Sequence, residues 1–281
     1  MSVAALDLGI LGPAFIAGLL VIATHVPLGR EVLTRGIIFI DLAVAQVAGV
    51  GVIAAHYFGW EPGALGTQVA AIVAALAAAL LLNTTEKRWP EIQEALIGAL
   101  FVLAASGGLL LLAGNPHGGE HLKELLVGQI LWVAPSVLVV VALVYAVLIV
   151  WWFAARRFFG RAGFYVVFAI AVTASVQLVG IYLVFATLIL PALAVRRLPE
   201  ARGLGWGYAV AVAGYAVGII LSAIVDLPTG AVVVWTLAMI AGAVAWYLGK
   251  NSEAAVTSSS TSRASSSPRR RRKDKASGRQ S

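Results

Sequence analysis

Long apolar runs, broken at intervals by short charged or turn-forming clusters, make up nearly the whole chain as far as residue 249. A membrane-spanning helix needs about 20 mostly apolar residues. The runs at 10–28, 36–57, 64–83, 94–113, 135–155, 164–180, 181–195, 205–225 and 229–248 meet or approach that length, and the clusters between them mark where each crossing stops. The stretch 164–195 is the ambiguous one. Between Arg161 and Arg196 lie 34 residues without a charge, too many for one crossing and barely enough for two joined at 177–180.

The distribution of basic residues decides between these readings, because Lys and Arg concentrate on the cytoplasmic side. Two passes through 164–195 gather Arg30, Arg35, Lys87, Arg88, Arg156, Arg157, Arg161, Arg196, Arg197, Arg202 and the C-terminal tail on one side, leaving only Lys123 on the other. One pass splits the set. The pattern therefore predicts an all-α polytopic transmembrane bundle of about nine crossings, with eight as the alternative count, N-terminus outside and C-terminus cytoplasmic. Gly-rich faces such as Gly49-Val-Gly51 suit close helix packing, where lipid supplies no hydrophobic drive and backbones must approach to gain dispersion energy.

Composition narrows the class further. Of 281 residues, 60% are hydrophobic and 12% charged, proportions that a soluble core could not hide. The absence of cysteine excludes a disulfide framework, thiolate metal ligands and a cysteine nucleophile. Met1 to Gly12 carries Asp7 but no Lys or Arg, so it lacks the basic flank of a cleavable signal, and the first apolar run is expected to stay in the mature protein.

The net charge of +7 belongs wholly to the end of the chain: residues 250–281 hold nine Lys/Arg against Glu253 and Asp274, and the preceding 249 residues are balanced. This predicts a transmembrane domain over 1–249 and a disordered, basic Ser/Arg-rich cytoplasmic tail over 250–281, near anionic headgroups rather than nucleic acid. The protein is expected in the plasma (inner) membrane as a multi-pass chain.

Against this apolar background the polar residues stand out. Asp41 interrupts the second run, and a carboxylate there normally faces protein or an aqueous route. Gln46 follows five residues later, about 140° around a helix, so the two do not form one tight pair. Glu94 opens the fourth run, as a pathway or gate residue or as favourable charge at a helix N-terminus. The loop 115–124 collects His117, Glu120, His121 and Glu124. Imidazole and carboxylate suit zinc or manganese; the alternative is a solvated cap.

His25 and His56 fall near the ends of the first two runs, where histidine commonly caps or snorkels. Seven of the tryptophans lie near predicted boundaries, as an interfacial belt requires. No G-x-x-x-x-G-K-[ST], H-E-x-x-H or G-x-S-x-G occurs. The chain is thus expected to be no enzyme and to have no tightly bound cofactor, and any energy from nucleotide hydrolysis is expected to come from a partner. Leu190 to Arg202, with Pro191, Arg196, Arg197 and Glu200, leaves the membrane at Pro191 as a short basic element suited to docking a cytoplasmic partner.

Arg35-Gly-Ile-Ile-Phe-Ile-Asp41-Leu-Ala-Val-Ala-Gln46, Gln93-Glu-Ala-Leu-Ile-Gly98, 116–132, Leu178-Val-Gly-Ile-Tyr-Leu-Val-Phe-Ala-Thr-Leu-Ile-Leu-Pro191-Ala and Asp226-Leu-Pro-Thr-Gly230 together resemble the integral-membrane permease subunits of zinc and manganese ABC importers. The resemblance implies a pair of like subunits, as a homodimer, around a central route. It also implies a cytoplasmic ATPase acting on 190–202, an extracytoplasmic metal-binding protein, and a divalent metal ion as cargo. Many relatives carry Asp-x-x-x-His in the second helix; here position 45 is alanine and Gln46 follows, a variant that offers a neutral oxygen in place of a basic nitrogen. The contrasting expectation is a permease-fold scaffold or assembly factor, or a carrier of a non-metal substrate.

Overall fold

The computed structural model describes residues 8–57, 64–112, 126, 128 and 130–265, and every regular element among them is helical. In order these are α1 (Leu8–Arg35), α2 (Ile40–Tyr57), α3 (Ala64–Arg88), α4 (Gln93–Leu112), α5 (Pro135–Val179), α6 (Ile181–Ala194), α7 (Glu200–Val225) and α8 (Thr229–Ser265), with 3₁₀ turns at Pro90–Ile92 and Ile130–Trp132. α5 is two helices joined at a break, since Gly160 has φ 53° and ψ −138°, and its spans are Pro135–Trp152 and Gly160–Val179. Each of the nine predicted runs is therefore helical. Seven segments have spanning length and apolarity, while Ile40–Ala55 and Ile181–Ala194 are shorter.

The corners follow from local sequence. Val32 to Ile37 closes α1 in a Schellman arrangement: the Ile37 amide donates to the Val32 carbonyl at 3.3 Å, and the Gly36 amide to Leu33 at 3.4 Å. Gly36 has φ 70°, which a side chain would disfavour. Val32 and Ile37 are both buried, the apolar contact that accompanies this cap. The chain thereby reverses in four residues and starts α2 immediately beside the end of α1.

Two groups of helices share α5. α2 packs against α3 and α4, and α1 packs against α6 and α7, with α8 completing the second group; α5 touches α1, α2 and α3. α6 sits deepest, with ten residues buried of its 14. Its approach to α1 needs a residue without Cβ, because a methyl on Gly29 would collide with the Leu188 carbonyl.

Three expectations change. The expected disordered tail starts at residue 250, but the helix of α8 continues to Ser265. Extending a formed helix costs far less than nucleating one, so a polar, Ala-containing segment can follow an apolar helix without a core of its own. Residues 266–281 lie outside the described residues. Pro191 lies buried inside α6 rather than at its end, and the chain leaves that helix after Ala194. Trp152 is buried against Phe164, with ring centroids 6.1 Å apart, while Trp89, Trp132, Trp206, Trp235 and Trp246 are exposed.

Candidate functional site

The α1–α2 reversal places Asp41 in the first turn of α2, at an end of the helix rather than midway along it. It is 1% exposed. Its carboxylate meets the backbone of Asp41 and Leu42, as an acid does at a helix N-terminus, and its Oδ1 is buried without a hydrogen-bond partner.

Glu94 comes to the same place from the first turn of α4. Its Oε1 accepts from the Phe39 amide at 3.2 Å, and its Oε2 is also buried and unpartnered. The two carboxylates feel each other electrostatically. One helix start is thus flanked by two acids, each with an unused oxygen. Like charges at close quarters are relieved by a proton or a cation. Among the described residues no group of three or more His, Cys, Asp or Glu side chains is placed to hold a metal, so chain-derived ligands would number two before carbonyls or water are added.

A polar cluster at the end of α3 and the start of the second span of α5 supports this pair. Gln93, next to Glu94 in sequence, donates to the Leu82 carbonyl at 3.0 Å and to the Tyr165 hydroxyl at 3.3 Å. Arg35 bonds Glu31 at 2.8 Å, lies 3.9 Å from Glu86 and stacks over the Phe164 ring. Asn83, Glu86 and Gln93 each keep one buried oxygen without a partner. Sequence reading missed Gln93 and Asn83; the signal was present as amides within apolar segments.

Gln46 does not join Asp41. Asp41 shares the buried face of α2 with Ala45 and Ala48, while Gln46 belongs to a partly exposed stripe with Leu42 and Gly49. That stripe begins at Phe39, whose ring stacks on Phe185 of α6 with centroids 6.2 Å apart. His117, Glu120 and His121 lie outside the described residues. Arg196 and Arg197 are exposed in the turn after α6, and Glu200 is exposed in the first turn of α7. A cavity of about 640 Å³ opens beside that turn, lined in part by Arg30, Glu31, Trp152, Arg196, Arg197 and Glu200. The Arg30 Nη2 donates to the Leu198 carbonyl at 3.1 Å.

The second polar centre is one that sequence position misjudged. His25 is not at an interface; it is fully buried. Its Nδ1 lies 3.0 Å from the Val21 carbonyl and 2.9 Å from the Thr24 hydroxyl, and its Nε2 has no partner. Tyr145 bonds Ser175 and donates to the Ala171 carbonyl at 3.1 Å, and Thr187 bonds Tyr215 at 2.8 Å. These hydroxyls tie the two halves of α5 to each other and α6 to α7, at buried positions away from water.

The ABC 3 transport family model matches residues 7–162 and 159–247, overlapping at the Gly160 break. Among solved structures, PsaBC from Streptococcus pneumoniae in complex with Fab resembles this chain with a TM-score of 0.66 at 19% identity, covering 83% of this chain and 90% of that one. That likeness is one of fold. No curated protein matches.

Proposed function

The chain belongs to the ABC 3 transport family, and from that premise we propose that it is the membrane-spanning subunit of an ATP-driven importer of a divalent metal ion, zinc or manganese. The observation that carries the reading is the Asp41–Glu94 pair, a buried acid and a partly buried one at one helix start, each with a buried oxygen that has no partner. Carboxylate and amide oxygens are the donors of this region, a set that suits manganese better than zinc.

Energy comes from a separate cytoplasmic ATPase acting on the exposed turn at 196–200, next to the 640 Å³ cavity. An extracytoplasmic metal-binding protein delivers the ion, and two copies of the chain complete the route. In this arrangement the chain lies in the plasma (inner) membrane with the N-terminus outside and the basic tail in the cytoplasm, and seven of its helical segments are long and apolar enough to cross it. Positive-inside charge supports that orientation, since Arg30, Arg35, Lys87, Arg88, Arg161, Arg196 and Arg197 fall at the same ends of their helices.

The test is uptake of radiolabelled manganese and zinc by cells whose only copy of the protein is the Asp41→Asn variant. The amide keeps the shape and removes the charge, so uptake should fall about 100-fold, as expected when a buried charged ligand is lost. Wild-type uptake by a variant present at normal abundance defeats the proposal for Asp41.

A further inference from the structure

Two spanning segments meet in an unusual place. Leu188 packs on Gly29, so Gly180, eight residues back along α6, stands level with the middle of α1, which has 28 residues. Arg35 stacked over Phe164 gives the same depth from the other direction, because Gly180 is 16 residues further along α5. The break between α5 and α6, with Gly180 at φ 81° and ψ 162°, therefore lies near half-depth of the bundle rather than at its surface. From the other side the backbone of Gly128 reaches it and presses on Val179 and Gly180.

The residues around this break are almost all buried, with two exceptions. Gln177 is exposed, although every neighbour from Ala171 to Gly180 is buried. Tyr182 is 55% exposed on a helix whose other residues nearly all face protein. No hydrogen-bond partner is found for either side chain among the described residues. Thr173, one turn before Gln177 on the same helical face, is buried with an unpartnered hydroxyl.

An amide and a phenol at half-depth are costly against lipid and are expected to face an aqueous cavity or another polar surface. The face is continuous with the site already described. Tyr182 and Phe185 follow one another along α6, Phe185 stacks on Phe39, and the part-exposed stripe of α2 leads from Phe39 to Gln46. Counting from the Ile37–Val32 hydrogen bond, Gln46 reaches about the same depth as Tyr182.

We propose that Gln177 and Tyr182, one on each side of the Gly180 break, line the ion's route at mid-membrane together with Gln46. This rests on the transport reading above and adds the chemistry of the station: neutral oxygen donors that exchange with part of a divalent ion's water shell without holding it. Neutral donors bind a hydrated cation more weakly than the carboxylate pair at the start of α2, so an ion can pass one and pause at the other. Broken helices near the midplane are where transporters commonly place such contacts, because freed carbonyls and nearby polar side chains are available there.

The chain has no cysteine, so single cysteines report water directly, thiolate being the reactive form and absent in hydrocarbon. Gln177→Cys, Tyr182→Cys and, as the lipid control, Leu110→Cys are introduced into the complex in membranes. They are then treated with a membrane-impermeant thiosulfonate from each side. Labelling at Gln177→Cys and Tyr182→Cys should be at least about tenfold faster than at Leu110→Cys, and millimolar manganese should slow it. Labelling no faster than the control, or unaffected by manganese, overturns the proposal. Uptake by Gln177→Leu, expected to fall while Gln177→Asn retains it, gives the second arm; full uptake by Gln177→Leu overturns the role of the amide. If Asp41→Asn abolishes uptake while the cysteines stay unlabelled, the route proposed here fails and the transport reading stands.

Discussion

Span Gly160–Val179 and span Pro90–Leu112 are both apolar and of similar length, yet 78% of an 18-residue stretch of the first is buried within the chain and only 17% of such a stretch of the second. The outer helix is if anything the more apolar. In water such a helix would be driven inward; in lipid the acyl chains are as apolar as leucine, so hydrophobicity no longer selects the interior. What distinguishes the inner segments is fit and hydrogen bonding: Phe164, Phe168 and Tyr165 interlock, Ser175 meets Tyr145, and Thr187 meets Tyr215. Leu103 and Leu110 of α4 face outward instead.

Substitution at Gly29 puts the contrast under the greatest strain. Gly29→Ala drives a methyl into the Leu188 carbonyl and should destabilise the solubilised protein by about 3 kcal/mol, read as a fall in melting temperature and a loss of monodisperse material. Gly107→Ala on α4, with nothing within 4 Å of the added carbon, should be neutral or slightly stabilising through helix propensity. Equal losses would abolish the distinction between inner and outer helices.

A smaller effect is expected from Tyr145→Phe, which removes the hydroxyl bonded to Ser175 and Ala171 without opening a cavity. Buried hydrogen bonds in membrane bundles contribute about 1 kcal/mol, and thermal unfolding in one detergent would measure the change. A shift indistinguishable from zero would mean that packing alone holds the inner helices. Smallest of all should be Leu110→Ala: the side chain is 78% exposed, and stability should stay within about 0.5 kcal/mol of wild type. A loss as large as that of Tyr145→Phe would show this face to be covered by protein in the membrane, as a contact with a second copy requires.

Most of the elements were legible because bilayer thickness imposes a length and charges mark the ends. The ambiguous stretch 164–195 forms two helices that meet at residue 180. The site was legible in part. Asp41 and Glu94 were conspicuous as acids in apolar surroundings, but nothing in their separation along the chain shows that Glu94 caps the turn that carries Asp41. Gln46, five residues from Asp41, lies on another face of α2, as the 140° between them around the helix implies. His25 was read as interfacial from its distance to the end of a run, which fails because α1 continues for ten further residues to Arg35.

The alternation of apolar runs and charges determined a helical membrane protein by itself, since backbone polar groups in hydrocarbon can be satisfied only within a helix or a closed barrel. Which helices lie inside, where α5 and α6 meet, and which acids share a helix start were decided only by tertiary packing. In lipid those choices turn on close contact and side-chain hydrogen bonds between residues far apart in the chain, and a one-dimensional pattern of hydropathy carries no record of either.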